Sequence, residues 1–296
     1  MTAFLAELGK QVADKWLSLI VLPGLLYLSV LTAARILGQR HWHDFSRLSS
    51  ALDSFQPAIG QGRPALLALW AVGVLMASAA IGIAVGAVAA VVESVWTGQW
   101  PDCLAKLSET TFRRHSRWMS ATENFEAEAA KTAPERDLAV LDRNAEARNR
   151  IALAEPARST WIGDQYAAVE TRIRIEYGLN LTFIWPRLWL VLPDPVRGEL
   201  RNARESFDSG TRLTAWGLSY MIITFIWWPA SLVAIITIIA GWRRGRLATR
   251  SLTFLTEAAV DIYGPVLARS LGLAQENQRL TKEVGTAVTL IARKGA

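Results

Sequence analysis

One cysteine and three histidines are spread over 296 residues, and each scarcity removes a class of chemistry. Cys103 alone forms no intramolecular disulfide, and no Cys/His spacing of a structural zinc site surrounds it. His41-Trp42-His43-Asp44 offers two imidazoles and a carboxylate without a further ligand signature, so a polar interfacial loop is the better reading than a metal site. No phosphate-binding glycine loop, paired-histidine metalloprotease motif or nucleophile elbow occurs. Ser78 and Ser219 lie in apolar sequence that holds no histidine to activate them. The chain is therefore expected not to be an enzyme and to need neither cofactor nor metal. A lipid-modifying site on Glu93, Asp208 and Arg212 is the one chemical arrangement left open.

Charge is also missing, in blocks. Residues 16–34, 65–92 and 213–241 run for nineteen, twenty-eight and twenty-nine positions without a charged side chain, long enough for membrane-spanning helices. The lack of acidic or histidine relays inside them argues against a proton-coupled transporter. The third block, as one straight helix, would reach roughly 44 Å, well past a hydrocarbon core of about 30 Å. It must tilt strongly or fold back, and Trp227-Trp228-Pro229 suits a turn because proline starts a helix better than it continues one.

The charges that are present decide between those options. Residues 97–212 balance seventeen Lys/Arg against seventeen Asp/Glu, whereas residues 242–296 hold nine against four. Balanced signs speak against nucleic-acid binding. Arg243, Arg244 and Arg246 directly follow the third block, and Arg113, Arg114 and Arg117 follow the second; both sets mark the cytoplasmic face. A hairpin puts them on one side, which a single span would not. Trp16, Trp96 and Trp242 then fall near the inner surface, and Trp42, Trp70, Trp227 and Trp228 near the outer.

Between these blocks the pattern is helical. Residues 104–131, a second helix opened by Pro134, and a third introduced by Pro156 make up a polar middle region. Phe4, Leu5, Leu8, Val12 and Trp16 form an amphipathic stripe at one end of the chain, and Leu280, Val284, Ala287, Val288 and Ile291 one at the other. Pro195 starts a helix through Leu200, Ala203 and Phe207, and Gly264-Pro265 is expected to kink the helix leaving the third block. Ser78, Gly82, Gly86 and Ala90, spaced by four, form a small-residue stripe for close helix packing, within the chain or against a second copy.

Thr160-Trp161-Ile162-Gly163-Asp164, Tyr177-Gly178-Leu179-Asn180 and Ile184-Trp185-Pro186-Arg187-Leu188-Trp189 make up a distinctive block ending at Leu192-Pro193. It resembles a recurring block in uncharacterised bacterial multi-pass membrane proteins, over roughly residues 159–272. There it precedes a pair of hydrophobic segments, so the resemblance implies the hairpin and a bacterial inner membrane; it implies no activity and no catalytic residue. Trp185 and Trp189 are expected to dip into the headgroup region from an interfacial elbow. Arg187 would then meet a phosphate or a carboxylate, or anchor the elbow to Glu176, Asp194 or Asp208.

The expected fold is an all-α integral membrane protein with about four membrane segments. It runs as an amphipathic helix (1–15), a transmembrane helix (16–37), an extracytoplasmic loop (38–64), a second transmembrane helix (65–93), a cytoplasmic helical region (94–176), an interfacial elbow and helix (177–212), a membrane hairpin (213–241) and a basic cytoplasmic tail (242–296). Both termini are expected in the cytoplasm. The expected role is a membrane anchor or adaptor presenting its cytoplasmic module to a protein partner; the alternative is a homo-oligomeric pore or ion channel built through the small-residue stripe. Expected partners are the lipid bilayer, anionic lipids included, and a protein partner or a second copy, but no nucleic acid. Trp185, Arg187, Trp189, Arg243, Arg244 and Arg246 are the candidate contacts to membrane or partner.

Overall fold

The computed structural model describes residues 21–60, 64–98, 100, 109–132, 135–275 and 278–294. The expected helix 1–15, the start of the first apolar block and Cys103 lie outside the described residues. Within them the protein is all-α, with ten helices and no strand. These are α1 (Leu22–Leu37), α2 (Phe45–Gly60), α3 (Pro64–Trp96), α4 (Glu109–Ala129), α5 (Leu138–Ile151), α6 (Trp161–Tyr177), α7 (Leu181–Val191), α8 (Asp194–Ile223), α9 (Ala230–Ser270) and α10 (Lys282–Arg293). The chain divides into two compact units, Met1–Val92 with Ser209–Arg243, and Glu93–Asp208 with Arg244–Ala296.

The first unit is built from the apolar blocks. The third block breaks where proline and two indoles interrupt it: α8 ends at Ile223 and α9 begins at Ala230. The two helices then run antiparallel at close range. A side chain added at Gly217 would lie 3.0 Å from the Ala234 carbonyl oxygen, and one at Gly241 would lie 2.8 Å from that of Gly210. Only glycine allows both approaches. The apolar halves of fifteen and thirteen residues are not separate short helices, since α8 extends back to Asp194 and α9 forward to Ser270.

Gln39 fastens the turn: its Nε2 donates to the Thr224 carbonyl at 2.9 Å, and its Oε1 accepts the Trp228 N–H at 3.0 Å. Trp42 meets Trp228 edge-on at 5.1 Å, and the Trp227 indole donates to the Trp42 carbonyl. Tyr27 of α1 packs on Tyr220 and Trp216, over a core of Ile223, Ala230 and Ala234. Residues 45–60, expected within a loop, are helical.

The small-residue stripe on α3 does not act as one surface in the chain. Ser78 is fully buried, donates to the Val21 carbonyl at 2.5 Å and packs against Gly24. Gly82 is half-buried, whereas Gly86 and Ala90 are exposed. The packed line is instead Ser78, Val85, Ala89 and Val92. A step of four overshoots the turn of 3.6 residues by about 40°, so a row spaced by four drifts off the contact within three steps.

The second unit has a buried apolar core, with Ile173, Leu179, Ile184, Leu188, Leu192, Val260 and Val288 almost wholly enclosed. Its helices carry local start and stop signals. Thr160, Asn180 and Thr281 cap α6, α7 and α10 through their side-chain oxygens, and Gly178 closes α6 in the left-handed conformation. The third helix of the middle region thus begins at Trp161 behind its Thr160 cap, not at Pro156. Helix α9 runs through Gly264-Pro265 to Ser270, so the expected kink site lies inside one helix. Proline removes one hydrogen bond there, while Ala259 and Val260 before it and Leu267 and Ala268 after it pack into the same core.

Helices α4 and α5 form an antiparallel hairpin in this unit. Trp118 donates to the Ala152 carbonyl, Arg114 to that of Ile151, and Asn144 to that of Asn124. Asp137 caps α5 by accepting the N–H groups of Ala139 and Val140. Phe112 and Leu138 remain largely exposed on it.

Candidate functional site

The aromatic block folds into one wall of a cleft. Trp185 and Trp189 are four apart on α7, so their rings share a face with centroids 6.0 Å apart. Together with Leu181 and Pro186, and with Val169 of α6, Leu200 of α8 and Leu252 of α9, they line a cavity of about 590 Å³. Tyr166, Glu170, Arg201 and Arg204 give it polar edges. Arg187 does not join this group. Two residues from each indole, it points its guanidinium back along its own helix and donates to the Phe183 carbonyl at 2.8 Å. Asp194, one of the acids expected to anchor it, pairs instead with Arg197 at 2.8 Å.

Glu93 and Asp208 are brought together, but by a residue that the sequence reading passed over. Arg204 reaches Glu93 at 2.6 Å and Asp208 at 3.0 Å. Burial opposes its charge, yet the Glu93 hydrogen bond and the two carboxylates outweigh it and hold its pKa above the ordinary value. The i, i+4 spacing of Arg204 and Asp208 was a legible signal; the link to Glu93, 111 positions away, was not. Beside them, burial pushes the Tyr166 phenol up, so it stays neutral.

The basic residues after the third block separate by role. Arg243 and Arg244 are exposed, whereas Arg246 is half-buried and stacks over the Trp161 indole at 4.2 Å. Arg250, one turn later, covers the same ring at 5.2 Å. Burial and then the charges of Arg250 and Arg114 depress the Arg246 pKa.

Trp161 itself is held firmly. Asp164, one turn on and 3% exposed, accepts the backbone N–H groups of Ala157 and Arg158 and pairs with Arg114 at 2.6 Å. Burial pushes its carboxyl up even against those partners. Among the described residues no three His, Cys, Asp or Glu side chains gather as a metal-binding group.

No family model, curated protein or solved structure matches this chain.

The helices α3, α8 and α9 of the first unit expose apolar side chains. Leu69, Trp70, Met76 and Ile83 of α3, Ile222 of α8, and Leu232, Ile236 and Ile239 of α9 are all exposed. Among the described residues one helix, Ala65–Trp96, is long and apolar enough to cross a membrane, with only 22% of its most apolar stretch buried inside the protein.

Proposed function

We propose that the protein is a membrane anchor or adaptor of the bacterial inner membrane, whose first unit lies in the bilayer and whose second unit offers a helical surface to a protein partner. One observation carries this reading: the helices of the first unit turn leucine, isoleucine, valine and tryptophan outward over long apolar stretches, while the second unit gathers its main apolar side chains into a buried core and leaves others exposed singly among polar residues. A helix apolar on every side needs an apolar surround, and when the protein does not supply it, lipid does. The unit boundaries at Val92, Asp208 and Arg243 fall within a few residues of the ends of the apolar blocks, which supports a division by solvent. Arg243 and Arg244, exposed at that boundary, suit anionic headgroups, and both termini are then cytoplasmic.

The α4–α5 hairpin is the favoured partner surface, because Phe112 and Leu138 are exposed on a polar pair of helices. The test is purification of the full chain under mild extraction, as wild type and as Phe112→Ser/Leu138→Ser. A soluble partner retained by the first and lost by the second supports the adaptor; equal retention rejects this surface.

The second reading is a self-associated pore, favoured by Gly86, where an added side chain would have nothing within 4 Å. Mass measurement in nanodiscs separates the two. A monomer rules out the resting pore, and a closed ring makes ion flux the next assay.

A further inference from the structure

A groove in the second unit, adjoining the aromatic cleft at Val169 and Thr253, collects positive charge. The last turn of α5 supplies Asn149 and Arg150, α6 supplies Gln165 and Arg172, and α9 supplies Arg250, around a volume of about 580 Å³. That size lies within the roughly 300–1,000 Å³ of small-molecule sites. Glu257 is the one acid in its lining and is already paired with Arg172 at 2.9 Å. Arg150 and Arg250 have no carboxylate in the wall to answer them.

Three further features show a built site. Gln165 lines the groove although only 4% exposed, so its position is set by the packing around it. Arg250 is oriented by the Trp161 face, and that tryptophan is in turn fixed by the Thr160 cap and the Asp164 network. Arg246 lies on the same indole, and its pKa is depressed by burial and then by Arg250 and Arg114, a mutual repulsion that an anion in the groove would relieve.

We propose that Arg150, Arg172 and Arg250, with Asn149 and Gln165, bind the phosphate group of an organic phosphate. Guanidinium groups match phosphate oxygens in pairs, and the two amides add neutral donors. Leu153, Val169 and Phe254 give the remainder of the ligand an apolar wall. A soluble phosphate monoester and the headgroup of a phosphomonoester lipid present the same chemistry. The site belongs to the second unit alone and does not depend on the anchor reading.

The test uses the full chain in nanodiscs of zwitterionic lipid, with inorganic phosphate followed by phosphorus NMR line broadening. A parallel sample carries phosphatidic acid, whose retention is read by native mass spectrometry. Arg150→Gln and Arg250→Gln alter exposed side chains on different helices, and each is expected to weaken binding about tenfold or more, with partial recovery in Arg250→Lys. Arg201→Gln, at the edge of the aromatic cleft, is expected to bind as wild type. Saturable phosphate binding lost in the two variants supports a soluble ligand. Phosphatidic acid retention lost in the same variants, without a response to free phosphate, supports a headgroup. Response to neither probe, or variants that bind as wild type does, overturns the proposal.

Discussion

Replacing Gly178 by alanine should release α10 from the second unit. Gly178 has φ of +66°, a conformation that costs an alanine about 1–2 kcal/mol. The new methyl would also sit 2.7 Å from the Lys282 carbonyl and 2.5 Å from the Thr286 hydroxyl, both on α10. Ordinary contact begins near 3.4 Å, so the helix must retreat by about 0.7 Å from a backbone atom that cannot swing aside.

That retreat strains two bonds of Thr289, whose hydroxyl donates to the Gly178 carbonyl at 3.2 Å and accepts the Asn180 N–H at 3.1 Å. It also loosens Val288, 1% exposed in the core. Strain and overpacking together come to about 2–4 kcal/mol. Hydrogen exchange of the full chain in nanodiscs should then show protection over 282–293 falling by roughly thirty- to several-hundred-fold. Gly272 is the control: its φ is +72°, but nothing lies within 4 Å of an added methyl. Gly272→Ala carries the same strain without the collision and should leave 282–293 close to wild type. Equal effects of the two substitutions would refute the packing argument.

Arg114→Ala leaves the Asp164 carboxylate buried without its counter-charge and should cost about 3 kcal/mol at neutral pH. The gap to wild type should narrow as acid protonates that carboxyl, which denaturant titrations at two pH values would show. Tyr177 donates to Asp261 at 2.9 Å, and burial first, then that hydrogen bond and nearby carboxylates, push its phenol up to about 12. The stability from the neutral phenol is complete below the free phenol's pKa of about 10 and is lost as pH rises towards 12. Melting curves across that window should therefore fall less steeply for Tyr177→Phe, and parallel curves would exclude the bond. Gly241→Leu would drive a side chain into the α8 backbone at Gly210 and Thr214 and should cost about 3 kcal/mol in a thermal melt, whereas Gly73→Ala meets nothing and should be near neutral.

The all-α class and the turn at Trp227-Trp228-Pro229 were legible because they depend on local chemistry: uninterrupted apolar runs, helical periodicity and a proline without an N–H. So was the helix carrying Leu200, Ala203 and Phe207, all three of which are buried. What local pattern could not supply was pairing at a distance. Four-residue spacing identified small side chains on α3 but not the packed line, which depends on where α1, α8 and α9 lie. Trp185 and Trp189 were found because i, i+4 aromatics share a face, but Arg187 was grouped with them by proximity in sequence, and the helix turns it away. The groove at Arg150, Arg172 and Arg250 left no trace in the sequence, as its arginines come from three helices and each alone reads as a solvated charge.

Solvent accessibility at matched exposed positions tests the division into membrane and aqueous units most directly. On a Cys103→Ser background, single spin labels would replace Ile83 and Ile236 in the first unit and Leu138 and Phe254 in the second, all strongly exposed in the structure. Power saturation in nanodiscs, with oxygen as the lipid-soluble relaxant and a nickel chelate as the aqueous one, should place 83 and 236 in lipid and 138 and 254 in water. Labels at 83 and 236 that meet the nickel chelate as freely as those at 138 and 254 would contradict the membrane assignment.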